Sequence, residues 1–351
     1  MRTSAPRTER EQLEHLPGEF EHPPHAVEVE LGLSKRGRLM RYLSAAVSLV
    51  FVAAAAWWIS KQKIPTLPKD THAYASLAGA LALYAVATLL RGERWHRLLR
   101  HTSIHPKRVD SYCITVVGYA GNNILPARAG EAMRSFLVAG KVDASKREVL
   151  GTIVAERVLD AVVLGVAFAF SAYGALVSGS PLALLGIIIV GVAVIGFFPK
   201  RFRPDPEHPR LKWVVDSVGR LLAPTRNLIS LDGFFLLLTS AVIWAIEAST
   251  YWLVGHAVGL GVSYGEAIFI MVVANFVSLI PAGPGYVGTF DAAVLFAAKK
   301  LGTSHGVAVS FLLLLRFVLF IPITVTGLLL LVTRYGGFAS YRAARLQASQ
   351  A

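Results

Sequence analysis

The sequence predicts an all-α, polytopic membrane fold of six crossing helices plus two re-entrant hairpins in an inverted-repeat-like arrangement, and three observations predict it. The 351-residue chain is 54% hydrophobic and only 16% charged, with a mean hydropathy of +0.54, which leaves too little polar surface to cover a soluble globule. Charge-free runs close to the ~20 residues that cross a bilayer recur along it. A proline- and glycine-broken apolar segment occurs twice, and paired breaks in corresponding halves of a hydrophobic chain mark membrane proteins built from repeats, with a ligand site where the breaks meet.

Residues 1–38 are polar, rich in Glu, His and Pro, and without apolar periodicity, so they read as a disordered cytoplasmic tail rather than a signal peptide. His15, His22 and His25 lie close together there, but the prolines around them prevent a fixed ligand geometry, and no metal is expected. Residues 39–335 form the membrane domain and 336–351 a short cytoplasmic tail. The six crossings are residues 42–60, 73–90, 149–173, 181–199, 234–258 and 307–333, and the broken segments are residues 111–139 and 267–298. The single Cys113 excludes an intrachain disulfide and a thiolate-rich metal site.

Lys and Arg concentrate before the first span, in residues 91–108, 128–147 and 200–226, and after Arg334. The positive-inside rule places these loops and both termini in the cytoplasm, by majority, because Lys61, Lys63, Lys69, Lys299 and Lys300 fall on the outer face. Six crossings are compatible with this only if each broken segment enters and returns on one side. The net charge of +13 sits at the ends of apolar spans, where anionic lipid head groups rather than nucleic acid are the expected partners.

Unpaired backbone groups in hydrocarbon cost several kcal/mol each, so a helix break at membrane depth survives only where protein or water satisfies it. Pro126 and Gly130 end one half-helix and open the next; Pro281, Gly283, Pro284, Gly285 and Gly288 do the same in the second copy. Arg128, Glu131 and Arg134, spaced by three, share a broad face on a helix opening near Ala129, where helix dipole and guanidinium groups together suit a phosphate. Asn122, Asn123 and Asn275 add amides beside the breaks.

Glu156, Arg157 and Asp160 lie 7–11 residues into their span, roughly 10–16 Å deep, and must face the bundle interior and be paired. Arg316 reaches a similar depth from the other side, with Asp291 and Glu247 as candidate partners. The expectation is a buried charge belt lining the path of a polar head group.

From Asn122 through Pro126, Arg128, Gly130, Glu131 and Arg134 to Glu156, Arg157 and Asp160, and on through Pro281, Gly283, Pro284, Gly285, Gly288 and Thr289, the chain resembles the lysylphosphatidylglycerol synthase transmembrane-region, or flippase-like, family. The resemblance implies an integral plasma-membrane protein. In the best-understood members this domain moves an aminoacylated phospholipid between leaflets, and others are associated with glycolipid or isoprenoid-lipid pathways. Bifunctional members carry a soluble lipid-charging domain after the membrane domain; none follows Arg345 here, so synthase activity is not expected. Asp291 stands where the family pattern has glutamate and keeps the charge.

The expected function is translocation of a phosphate-bearing lipid, an aminoacylated phospholipid or a glycolipid, between leaflets. The alternative is an intramembrane transferase, for which Glu131 with Asp160 is the candidate acid–base couple, or an accessory subunit of lipid or glycolipid biosynthesis. Neither H-E-x-x-H nor a phosphate loop occurs, and no cofactor is expected. A lipid-modifying enzyme is a candidate partner; the sequence sets no oligomeric state.

Overall fold

Local capping chemistry starts four of the long elements. In the computed structural model, which describes residues 70–125, 128–142, 144–175, 230–278 and 283–337, Asp70 Oδ1 accepts the Ala73 N–H at 2.7 Å and opens α1, Thr71–His101. Ser145 and Glu148 cap each other at the head of α4, Lys146–Ala175, and Ser263 and Glu266 do so at α6, Tyr264–Val277. Ser230 Oγ accepts the Gly233 N–H to open α5, Leu231–Ala257. The remaining helices are α2, Arg108–Ile124; α3, Ala129–Ala139; α7, Thr289–Lys300; and α8, His305–Tyr335. A short 3-10 turn, Pro284–Tyr286, precedes α7. The described residues contain these eight α-helices and no strand.

Among the described residues three helices, α1, α5 and α8, are long and apolar enough to cross a membrane. They match three expected spans, and α4, a helix of 30 residues interrupted by Glu156, Arg157 and Asp160, matches a fourth. The expected spans 42–60 and 181–199, both tails, Pro126 and Pro281 lie outside the described residues. On α8, Phe317, Ile321, Val325, Leu329 and Val332 recur at helical spacing, each about half or more exposed, and α5 turns Leu231, Phe234, Phe235, Leu238 and Val242 outward in the same way. Bare apolar stripes of this length are unfavourable in water and ordinary against lipid tails.

Both broken segments are helix–break–helix hairpins, α2–α3 and α6–α7, with arms of 17, 11, 14 and 12 residues. Each is followed by a long helix, and Arg157 stands eleven residues after Lys146 as Arg316 stands eleven after His305. Two hydrophobic clusters divide along the same line. Trp95, Ile114, Met133 and Ile153 surround the first hairpin, and Tyr251, Phe269, Ile270 and Phe311 surround the second.

The basic stretch 91–100, expected as part of a cytoplasmic loop, is instead the last turns of α1. Arg91 and Arg94 point inward, 7% and 0% exposed, because carboxylates on α4 and α5 face them. Charge density marks a loop only where nothing in the bundle needs the charge.

Close approach sets the packing of α8 on α2. A Cβ at Gly327 would lie 2.5 Å from Ala120 Cβ and 2.7 Å from Val116 O, so the two backbones touch where a side chain would stand. Gly327→Ala should therefore cost about 1–3 kcal/mol through overpacking, read as a lowered unfolding midpoint in detergent. An unchanged midpoint would mean that the contact is not held in solution.

Candidate functional site

The breaks of the two hairpins meet. Arg128, which opens α3 in the left-handed region (φ 55°), donates from Nη2 to Ser278 O at 2.9 Å across the junction, and its guanidinium lies 5.6 Å from the centre of the Tyr286 ring. Left-handed backbone at a non-glycine residue is uncommon and persists where surroundings over-determine it, as these contacts do. A Cβ on Gly285 would reach within 3.3 Å of Asn123 O, so the tips are in backbone contact.

Arg316 secures the second break from α8. Its Nε donates to Asp291 Oδ1 at 2.5 Å, its Nη1 to Gly285 O at 3.2 Å and its Nη2 to Tyr286 O at 3.5 Å, while Phe290 and Phe320 present their ring faces to the guanidinium. Asp291 also accepts the Gly288 N–H at 2.9 Å and so fixes the start of α7. The Ser278 and Gly285 carbonyls beside the break are thus satisfied by arginines from other elements, and Tyr286 O takes the Thr289 hydroxyl at 3.3 Å beside the longer Arg316 contact.

A partly open cavity of about 130 Å³ lies at this junction. Its wall includes Asn122, Asn123, Arg128, Glu131, Arg157, Asp160 and Asn275, which the sequence singled out. Arg134, Glu156, Asp291 and Arg316 do not reach it. Arg134 turns under α3, donates to Glu156 at 2.7 Å and stacks 3.9 Å from the Trp95 ring centre, so the second guanidinium beside Arg128 is Arg157 of α4. Of the helix-break residues, Gly283, Pro284, Gly285 and Gly288 form the second turn, while Gly130 packs backbone to backbone against Gly118 and Asn122 of α2.

The wall carries equal numbers of cations and anions: Arg91, Arg128 and Arg157 against Glu131, Asp160 and Glu247. Their pairing is uneven. Arg91 donates to Glu247 and lies against the rings of Tyr119 and Trp244, and Asp160 accepts from Arg94 at 2.6 Å and from Trp244 Nε1 at 3.0 Å. Glu247 was a candidate partner for Arg316; the structure gives it to Arg91, because α1 packs along α5 and brings that guanidinium nearer. Arg157 meets Glu131 at 3.6 Å and Asp160 at 3.5 Å, and Arg128 meets Glu131 at 3.8 Å, longer than a charge-assisted hydrogen bond. Arg128, Glu131 and Arg157 are the charges of the wall whose ion-pair contacts are all longer than a charge-assisted hydrogen bond, although Arg128 also holds Ser278 O.

Sequence reasoning missed Arg91, Arg94, Trp244, Tyr251 and Ser278. One signal was available. The expected crossings hold three carboxylates, Glu156, Asp160 and Glu247, but only Arg157 and Arg316 to neutralise them, so at least one more cation had to come from elsewhere.

A family model described as lysylphosphatidylglycerol synthase TM region matches residues 44–327. The chain belongs to this family. Among curated proteins, this lysylphosphatidylglycerol synthase TM-region chain is 24% identical to glycosyltransferase AglD of Haloferax volcanii over 74% of its own length and 49% of that protein's, so it spans about half of AglD. A UPF0104 membrane protein of Pyrococcus horikoshii is 21% identical, with 84% of the chain and 98% of the relative covered. Phosphatidylglycerol lysyltransferase of Staphylococcus aureus is 33% identical over 28% of the chain and 12% of that enzyme. No solved structure matches the chain.

Proposed function

We propose that the protein is an integral membrane lipid translocator that passes a phosphate-bearing head group through the cavity between the two hairpin breaks. The observation that carries this reading is the cavity itself: a charged, amide-rich space enclosed by helices whose outward faces are apolar. A space of about 130 Å³ suits a head group or a few waters, while acyl chains stay outside in lipid. In this reading the hairpins re-enter the bilayer from opposite sides, six helices cross it, and both termini are cytoplasmic at the plasma membrane. The lipid is an aminoacylated phospholipid, a glycolipid or another phosphate-bearing species, and a lipid-modifying enzyme is its protein partner.

Chemically, the head-group phosphate takes hydrogen bonds from Arg157 and Arg128 as their loose contacts with Glu131 and Asp160 give way. The pairs around it, Arg91 with Glu247 and Arg94 with Asp160, keep the walls neutral whether or not the phosphate is present. The phosphate replaces carboxylate partners of Arg157 and Arg128, so its charge is met by guanidinium donors.

A second reading, a membrane transferase or its accessory subunit, draws on the similarity to glycosyltransferase AglD. Glu131 and Asp160 both line the cavity, but Asp160 already accepts from Arg94 and Trp244, which leaves it poorly suited to move protons. Leaflet exchange of a panel of labelled lipids by the purified protein in liposomes separates the two. The translocator predicts exchange that Arg157→Ala slows by about tenfold or more, equivalent to about 1.4 kcal/mol of lost stabilisation, in protein that still folds. Transferase turnover without exchange of any lipid would establish the second reading instead.

A further inference from the structure

Glu131 differs from the other two carboxylates of the cavity wall. Glu247 accepts from Arg91, and Asp160 accepts from Arg94 and from Trp244 Nε1, so both are tied by hydrogen bonds to residues that stay in place. Among the described residues the ionic partners of Glu131 are Arg157 at 3.6 Å and Arg128 at 3.8 Å, both beyond hydrogen-bond length. Its side chain is 22% exposed and lines the partly open cavity, where water reaches it. The same two guanidinium groups are the ones a phosphate at this junction needs, because the third arginine of the wall, Arg91, is held by Glu247.

A bound phosphate and Glu131 therefore compete for Arg128 and Arg157. Arg128 already donates to Ser278 O and Arg157 also faces Asp160 at 3.5 Å, which reduces the donors each has to share. An anion seated there withdraws the counter-charges of Glu131 and stands beside it as a like charge; both effects favour the neutral carboxylic acid. No other group around the cavity serves in its place. Tyr286 of the second break, Tyr119 of α2, Tyr84 of α1 and Tyr251 of α5 are phenols, which do not ionise near neutral pH, and the described wall contains no His, Lys or Cys. Behind the wall, Arg94 and Arg134 pair with Glu156 and Asp160 and do not line the cavity.

We infer that the site couples its anion to a proton: a phosphodiester displaces Glu131 from Arg128 and Arg157, and Glu131 takes up one proton as it does so. This deepens the function proposed above and rests on that reading. The balance is simple. Water in the cavity delivers the proton to a Glu131 carboxylate oxygen, one O–H bond forms, and no covalent bond of the lipid changes. The phosphodiester brings one negative charge and the proton one positive, so the charge of the cavity is the same before and after binding. A head group that crosses in this state carries its proton with it, and a proton gradient becomes a driving force for translocation in a chain without a phosphate loop.

The test titrates the purified full chain with phosphatidylglycerol in mixed micelles, a lipid whose phosphodiester keeps one negative charge across the pH range used. Binding is read by ligand-induced thermal stabilisation, and proton uptake by a pH dye in weakly buffered solution. The wild-type chain should take up close to one proton per lipid bound. Its affinity should fall as pH rises from about 6 to about 8, by up to about tenfold per pH unit, because the bound state holds a proton that the free state lacks. Glu131→Gln has no carboxylate to compete for the two arginines. It should bind about tenfold or more tightly than wild type at pH 8, with no proton uptake and a flat pH profile. Wild-type binding without proton uptake, which needs no variant to read, overturns the inference, as does uptake that survives Glu131→Gln. Binding by neither protein at any pH removes the phosphate site itself and the inference with it. Leaflet exchange is scored separately: proton-linked binding without exchange leaves the coupling standing and removes translocation.

Discussion

Replacing Arg94 with methionine should destabilise the protein by about 3–5 kcal/mol, the usual cost of removing one partner from a buried ion pair. Arg94 is fully buried, and its guanidinium ties three helices together. Nη1 donates to Asp160 Oδ1 of α4 and to Ser240 Oγ of α5, both at 2.6 Å, and Nη2 donates to Asp160 Oδ2 at 3.3 Å and lies 3.5 Å from Glu156. Methionine keeps much of the stem's packing, so the loss isolates the charge. Glu156 would still have Arg134 at 2.7 Å, but Asp160 would fall back on Trp244 and the longer contact with Arg157. Chemical unfolding in mild detergent reads the effect.

The double variant Arg94→Met with Asp160→Asn sharpens the test. Removing both charges should restore most of the lost stability, because the penalty of the single change is an uncompensated buried carboxylate rather than a missing attraction. A single variant costing less than about 1 kcal/mol would show that water reaches the belt and that these residues do not hold the wall of the cavity.

Arg94 also shows where sequence reading stops. Helix breaks at Gly283, Pro284, Gly285 and Gly288, and long apolar runs such as α8, are local signals, and both helix–break–helix segments and the four described long helices followed from them. The direction of a charged side chain is not local. Arg134 shares a face with Arg128 by spacing, yet Glu156, 22 residues on, draws it into the core and leaves Arg157 of α4 as the second guanidinium beside Arg128. Arg94 finds Asp160 66 residues away and Ser240 146 away, separations at which periodicity carries no information. The carboxylates within the apolar runs announced that a cation was missing but not which one. Arg316 differs again: its pairing with Asp291 was one of two readable candidates, whereas its grip on the carbonyls of the break required the backbone path.

Gly130→Ala should have the second large effect, because the hairpin has no room for a methyl group. A Cβ there would fall 1.9 Å from Gly118 O and 2.5 Å from Asn122 N, both backbone atoms of α2 that no rotamer change can move. Gly118 and Gly121 complete the contact from the other helix; a Cβ on Gly121 would stand 2.8 Å from Gly130 Cα, and one on Gly118 would strike the Arg134 stem at 2.5 Å. Small residues on both faces are what lets α2 and α3 pack backbone to backbone. An alanine forces the arms apart by an ångström or more, roughly the margin by which Arg134 holds Glu156 and Arg128 holds Ser278. The expected loss exceeds the ~1–3 kcal/mol of ordinary overpacking, since a buried ion pair is disturbed as well. Gly306→Ala on α8 is the control: nothing lies within 4 Å of its Cβ, and the exchange should be neutral or stabilise by up to about 1 kcal/mol. Unfolding midpoints of the two variants in detergent, with leaflet exchange measured on whichever remains folded, decide the point. A Gly130→Ala protein as stable and active as Gly306→Ala would mean that the first hairpin is not the tightly closed pair of helices on which the cavity depends.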